Sequence, residues 1–223
     1  MKRIMGAAAV VGLLVVGAVG CGPWGDQQRK TVSYEVPGQV NELVVDGTSG
    51  GIDVKVDDGP VRVVEKRAWK DEEPQGTHEL KDGVLKLTYS CSSCGIGYEV
   101  HVPAGTKLTL KQTSGGIQLH DVAGDVDAKV SSGGIDAFGL KSKNVKMSVE
   151  SGGVNARFAE APARAEMTTE SGGVQVKVPS GEQYQVDARA DSGGTEVKVP
   201  STPGAPHVLI ARADSGGVQV YNS

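Results

Sequence analysis

Glu150-Ser151-Gly152-Gly153-Val154 is one copy of a unit that returns along the chain: Ser-Gly-Gly stands at Ser49, Ser114, Ser132, Ser151, Ser171, Ser192 and Ser215. From Ser114 onward the serines are 18, 19, 20, 21 and 23 residues apart. A recurrence of about twenty residues marks a stacked-repeat architecture. Around each serine the residues alternate. Six, four and two positions before it lie Val145, Met147 and Val149, or Leu209, Ala211 and Ala213; three and five after it lie Val154 and Ala156, or Val218 and Val220. The positions between are polar: Lys146, Ser148, Asn155, Gln175, Lys177, Glu196. Strict period-two alternation on both sides gives two half-buried strands per repeat, joined at the glycines. Glycine suits that corner because it permits positive φ and close approach of stacked backbones.

Two such short strands cannot bury their apolar faces alone, but equivalent rungs stacked on one another can. The expected fold is therefore all-β, a single-domain β-solenoid of about nine two-strand rungs. A β-sandwich is the competing architecture, since turn signals every ten or so residues also fit it. Aromatics make up only 4% of the chain, so a thin core of small aliphatic residues is expected.

Residues 1–20 have the layout of a secretory signal, with Lys2 and Arg3 ahead of an apolar run from Ile4 to Val19. The run ends Ala18-Val19-Gly20-Cys21, which resembles a bacterial lipobox, with Cys21 as the lipidated residue; an uncleaved anchor with an ordinary thiol is the alternative. Residues 21–30 then form the lipidated cysteine and a tether, and residues 31–223 the repeat domain. Loss of the leader makes the chain two units more negative than its formal −4. That acidity argues against nucleic acid as a partner.

Between Ser49 and Ser114 the wording of the repeat disappears but its phase continues. Leu85, Leu87 and Tyr89 stand six, four and two residues before Cys91, and Tyr98, Val100 and Val102 alternate after Gly97. The cysteine segment occupies a Ser-Gly-Gly corner, and a further degenerate corner is expected near Lys70, in a charged loop. With Cys21 assigned to lipid, Cys91 and Cys94 are an even pair in an exported protein, which favours a disulfide. A redox Cys-x-x-Cys ordinarily sits at a helix N-terminus, and nothing after the leader has helical periodicity. The histidines His78, His101, His120 and His207 are scattered and offer no zinc-ligand spacing, and a serine repeated seven times is a corner, not a nucleophile. No catalytic residue and no cofactor is expected. One edge merits attention: Glu150, Glu170, Asp191 and Asp214 precede their serines. Stacked, they would form an acidic column that Ca²⁺ could bridge or water and nearby cations could relieve.

The Ser-Gly-Gly units, the Cys91–Cys94 segment ahead of Tyr98-Glu99-Val100-His101-Val102-Pro103, and the Val-Pro corners at Pro37, Pro103, Pro179 and Pro200 together resemble the putative-adhesin family of bacterial envelope lipoproteins. That resemblance covers about residues 32–220. It implies a β-repeat domain of unknown function, often anchored to the membrane, and brings no catalytic residues.

The function expected is a lipid-anchored, extracytoplasmic binding or scaffolding module whose partner is an envelope protein or glycan. An accessory to an envelope-stress sensor is one alternative. A polysaccharide-cleaving enzyme is another, disfavoured because the loops are too short to wall a groove and the cluster Glu65, Lys66, Arg67, Asp71, Glu72, Glu73 has the look of a solvated loop. Edge-to-edge self-association, or docking of a partner strand, is expected at the last strand, in the stretch Val218 to Ser223, as the terminal rung.

Overall fold

The structure, a computed structural model, describes residues 27–223 in full and the backbone of residues 12–15. The rest of the leader, Cys21 and the tether as far as residue 26 lie outside the described residues. All described elements are strands, and no helix among them is long and apolar enough to cross a membrane. The first half of the chain supplies β1 (Gly12–Val15), β2 (Gln28–Glu35), β3 (Glu42–Ser49), β4 (Ile52–Val56), β5 (Arg62–Trp69), β6 (Thr77–Lys81), β7 (Val84–Thr88) and β8 (Cys94–Val102). Next come β9 (Lys107–Ser114), β10 (Ile117–His120), β11 (Val126–Ser132), β12 (Ile135–Leu140), β13 (Asn144–Ser151) and β14 (Val154–Phe158). The chain finishes with β15 (Arg164–Ser171), β16 (Val174–Val178), β17 (Tyr184–Ser192), β18 (Thr195–Val197), β19 (His207–Ser215) and β20 (Val218–Asn222). Because β2 starts at Gln28, the domain begins three residues before the expected boundary.

The chain winds as the alternation requires. The strand before each Ser-Gly-Gly lies in one sheet, the strand after it in the other, and like strands pair in parallel, in register except for one shift between β12 and β14. Val154 pairs with Val174 and Val174 with Val218; Val126, Val145, Ala165 and Leu209 stack on the opposite sheet. The seven serines sit in one column. These inward columns form one continuous core in which Ile117, Leu119, Ile135, Met147, Met167 and Leu209 have essentially no exposed surface. The solenoid, not the sandwich, is the architecture.

The corner glycines divide the work. The first of each pair takes positive φ, from 120° at Gly115 to 147° at Gly193. A Cβ on Gly115 would land inside the carbonyl of Gly50, and one on Gly152 inside that of Gly133. Only glycine serves there, on both counts.

Four expectations are corrected. Eight rungs stack among the described residues, not nine: the segment around Lys70 is a loop leaving β5, which is antiparallel to both β2 and β8. Spatial order departs from chain order at both ends. At one end the rung of β3 and β4 packs directly on β9 and β10, with the later β7 and β8 outside it. At the other, β19 and β20 slide in between the Ser171 rung and the rung of β17 and β18. The terminal rung is therefore β17 and β18, and Val218 and Val220 are fully buried. The more apolar rung, with Leu209 and Val218, takes the inner place, and Thr195, Glu196 and Val197 take the exposed one. Finally, the core does admit large groups: Tyr34, Tyr89 and Tyr98 are buried in it toward one end, Phe158 in its middle and Tyr184 at the other end, and Trp69 is buried beside it.

Candidate binding face

The second glycine of each corner has ordinary backbone φ, so its role differs. Gly134, Gly153, Gly173, Gly217 and Gly194 form an outward-facing column on the sheet of β12, β14, β16, β20 and β18. With no side chains, that column is a trench. A Cβ on Gly153 would stand 3.2 Å from the carbonyl of Gly173, close but not impossible. Two residues on, Asp136, Asn155, Gln175, Gln219 and Glu196 form the trench wall in register. The space they enclose is about 790 Å³. At about 4.8 Å per strand, five rungs give a trench about 19 Å long.

The wall is a hydrogen-bonded ladder. Asn155 Nδ2 donates to Asp136 Oδ1 (3.4 Å), Gln175 Nε2 to Gln219 Oε1 (3.2 Å), and Gln219 Nε2 to Glu196 Oε2 (3.5 Å). Asn155 Oδ1 has no partner among the described residues. Each side-chain amide both donates and accepts, so the wall can meet hydroxyls or amides of a ligand in either sense.

A third outward column runs beside it: His120, Phe138, Arg157, Lys177, Tyr221. A bulge at Gly139 (φ 68°) breaks the register between Ala137 and Leu140 and leaves Phe138 pointing outward. The Arg157 guanidinium lies 5.2 Å from the Phe138 centroid, Lys198 Nζ 5.6 Å from that of Tyr221, and the His120 ring stacks on Phe138 at 5.7 Å. Cations over ring faces in this way are drawn toward the rings by about 0.5–1 kcal/mol. The face thus carries a bare trench, an amide and carboxylate ladder, and a row of aromatic and cationic groups.

Toward the other end the same face closes into a knot of ion pairs. Lys66 and Lys55 reach Glu99 at 2.9 and 3.2 Å, Lys55 also reaches Asp53 at 3.0 Å, and His101 lies between Glu99 and Asp57. Hydrogen bonding from Lys66, aided by His101 and Lys55, holds the Glu99 carboxyl down to about 2. His101 keeps only 13% of its side chain exposed.

Cys91 and Cys94 are joined in a disulfide, their Cα atoms 5.7 Å apart. It closes four extra residues in that rung's corner, since Leu85 pairs with Leu43 but Tyr98 with Ile52. Glu150, Glu170, Asp214 and Asp191 do share a column, in that spatial order. Glu150 is paired with Lys129 (3.1 Å), and no three His, Cys, Asp or Glu among the described residues group as metal ligands.

The charged stretch expected to be a solvated loop is in part interior. Glu65 is 1% exposed. Tyr34 Oη donates to it at 2.9 Å, Arg67 Nε at 2.9 Å and Arg67 Nη2 at 2.6 Å, while Arg67 Nη1 and Lys30 meet Glu73 at 2.8 and 3.0 Å. Burial, then the Glu65 charge, drives the Tyr34 hydroxyl far above its usual range, so it stays a donor. The alternation Val63, Glu65, Arg67 was the available signal, for it places Glu65 on the inner face of β5.

The family described as Toastrack DUF4097 matches residues 18–205. Among solved structures, the chain is similar to a "putative adhesin" from Bacteroides fragilis, at 14% identity and TM-score 0.53, over 88% of this chain and 97% of that one. It is also similar to a "putative cell adhesion protein" from Clostridium sporogenes, at 13% identity and TM-score 0.50, over 88% of this chain and 100% of that one. At those identities the likeness is one of fold. No curated protein matches the sequence.

Proposed function

The chain belongs to the Toastrack DUF4097 family, and from that premise we propose that it is a non-catalytic binding module of the bacterial envelope. In this reading Cys21 carries the lipid that holds it to the extracytoplasmic face of the membrane, and the trench receives an extended glycan strand. The observation that carries the reading is the coincidence, on one flat face, of a trench floored by five glycines, a ladder of Asn, Gln, Asp and Glu, and a parallel row bearing Phe138 and Tyr221. Glycan hydroxyls are donors and acceptors at once, as the amide ladder is, and sugar rings present C–H faces to aromatic side chains. The names of the two solved relatives agree with a binding role and name no enzyme.

Co-sedimentation of the purified protein with insoluble envelope glycan tests this. The protein is expected in the pellet. Replacing Gln175 and Gln219 together by Ala removes two side-chain partners at about 1 kcal/mol each, a loss of ten-fold or more in affinity, with melting temperature unchanged because both lie on the outer face. Wild-type protein that stays in the supernatant with every glycan, or a double variant that binds as well, defeats the reading.

A further inference from the structure

The rung of β17 and β18 is the outermost at the end opposite the ion-pair knot, and it is half covered. The loop of residues 198–206 crosses the end and lies along the first residues of β17. Ser201 Oγ accepts from Val186 N (3.0 Å), Thr202 N donates to Tyr184 O (2.8 Å), and Val199 fills the space beneath. Beyond that flap, β17 from Asp187 to Ser192 and all of β18 have no strand outside them among the described residues. The inward side chains there, Ala188 and Ala190, are only half-buried, and Val197 is 40% exposed.

We propose that two copies of this chain join end to end through this rung, β17 pairing antiparallel with its counterpart about Ala190 and β18 with its counterpart about Val197. One twofold axis perpendicular to both sheets achieves both pairings, because Ala190 and Val197 each lie three residues outside the Gly193-Gly194 turn. In that register Arg189 of each copy faces Asp191 of the other, and Glu196 faces Lys198, so the outward pairs in which both residues are charged are all of opposite sign. Opposed charges directly across an antiparallel pair stabilise it, whereas like charges would destabilise it. Arg189 at present meets Asp187 (3.2 Å), but Asp187 is also held by Arg212, so it keeps a cation when Arg189 turns to its new partner. The flaps do not collide. Each covers residues 184–186, and in this register those positions fall past the partner's Ser192 corner. The joint brings Ala188, Ala190 and Val197 of the two copies together and turns two open solenoid ends into one continuous core. An isologous contact closes on itself and stops at two copies.

Sedimentation velocity over a concentration series, on the exported protein carrying Cys21→Ser to remove lipid, tests the joint. The mass is expected to rise from one chain to two. Arg189→Asp sets Asp against Asp191 and should weaken association about ten-fold or more. Arg189→Asp combined with Asp191→Arg restores opposed charges only in the antiparallel register and should restore the dimer. Ala190→Cys, placed on the twofold, should give a covalent dimer under mild oxidation. A single-chain mass at every concentration overturns the proposal, including the case where the edge serves a strand of another protein. A reversed pair that fails to rescue overturns the register.

Discussion

The two ends of this solenoid solve the same problem differently. At one end the outermost rung, β7 and β8, is covered on its edges by antiparallel strands, β5 and β2 on one sheet and β6 on the other. Beneath them are a buried carboxylate with three donors, four aromatic side chains and a disulfide. At the other end a loop covers the first three residues of β17, and no described strand covers the rest. A stacked core adds rungs at little specific cost, since each repeats the last. What distinguishes the ends is the chemistry that stops the stack. The closed end uses strands that run the wrong way to be copied and polar groups that fit one geometry; the open end keeps an edge that can still accept a strand.

The largest effect expected comes from the glycines that both ends share. Gly115 lies mid-stack at φ 120° with the Gly50 carbonyl where its Cβ would be. Strained backbone costs about 1–3 kcal/mol and overpacking a further 1–3 kcal/mol or so, so Gly115→Ala should lower stability by several kcal/mol in a urea titration. Gly194, at the open end, has nothing within 4 Å of its missing Cβ, and Gly194→Ala should leave the midpoint unchanged. Equal losses would mean that neither the positive φ nor the stacked carbonyl at Gly115 sets the requirement.

Next in size is the contrast between ion pairs. Glu65→Ala leaves Arg67, with only 15% of its side chain exposed, without its principal partner, at a cost of about 3–5 kcal/mol. Asp187→Ala at the open end breaks pairs whose cations are 61% and 45% exposed, worth at most about 1 kcal/mol. Thermal melts of the two variants decide this. Amide exchange should agree, with β17 and β18 opening well before β2 and β5.

Much of this was legible in the residues. Period-two alternation about each Ser-Gly-Gly placed Val154, Val174 and Val218 in one column, and the unbroken phase through Leu85, Leu87 and Tyr98 located the Cys91 corner. Neighbour order was not legible from the pattern, because alternation says which face a residue takes but not which rung lies next to which. Loop length carried part of that information. Nine residues separate β18 from β19, where the chain steps back over a rung, against five between β14 and β15, which lie in adjacent rungs; the five between β16 and β17, which skip a rung forward, carry no such signal. Glu65 was hidden by composition, since a run rich in charge suggests solvent even where alternation points inward. The trench was hidden by assigning both glycines of the corner one role, when only the first needs positive φ.

The disulfide sharpens the comparison at smaller scale. It closes a loop of four residues, so by chain entropy its removal costs about 2 kcal/mol. Replacing Cys91 and Cys94 together by Ser should lower the denaturation midpoint accordingly and speed exchange in β7 and β8, leaving β17 and β18 as they were. A loss shared by both ends would show that the rungs unfold as one unit.

The smallest effect is one of pH, and it too should be confined to the closed end. Glu99 has its carboxyl held to about 2, against an ordinary 4.5, first by the hydrogen bond from Lys66. A carboxyl depressed in the fold contributes stability that is whole above its unfolded value and is lost as pH falls toward the folded one. That contribution should therefore fade between about pH 4.5 and pH 2. Its size is limited because Lys66 is 61% exposed and screened by salt. Glu99→Gln removes the titrating group, so the variant should lose less stability than wild type over that interval, and added salt should narrow the gap. Asp187 is also lowered, first by Arg212, but it is a more exposed group with exposed cations. If acid instead opened β17 and β18 first, the open end would hold the greater share of the pH-dependent stability, and the division between a chemically closed end and an available one would fail.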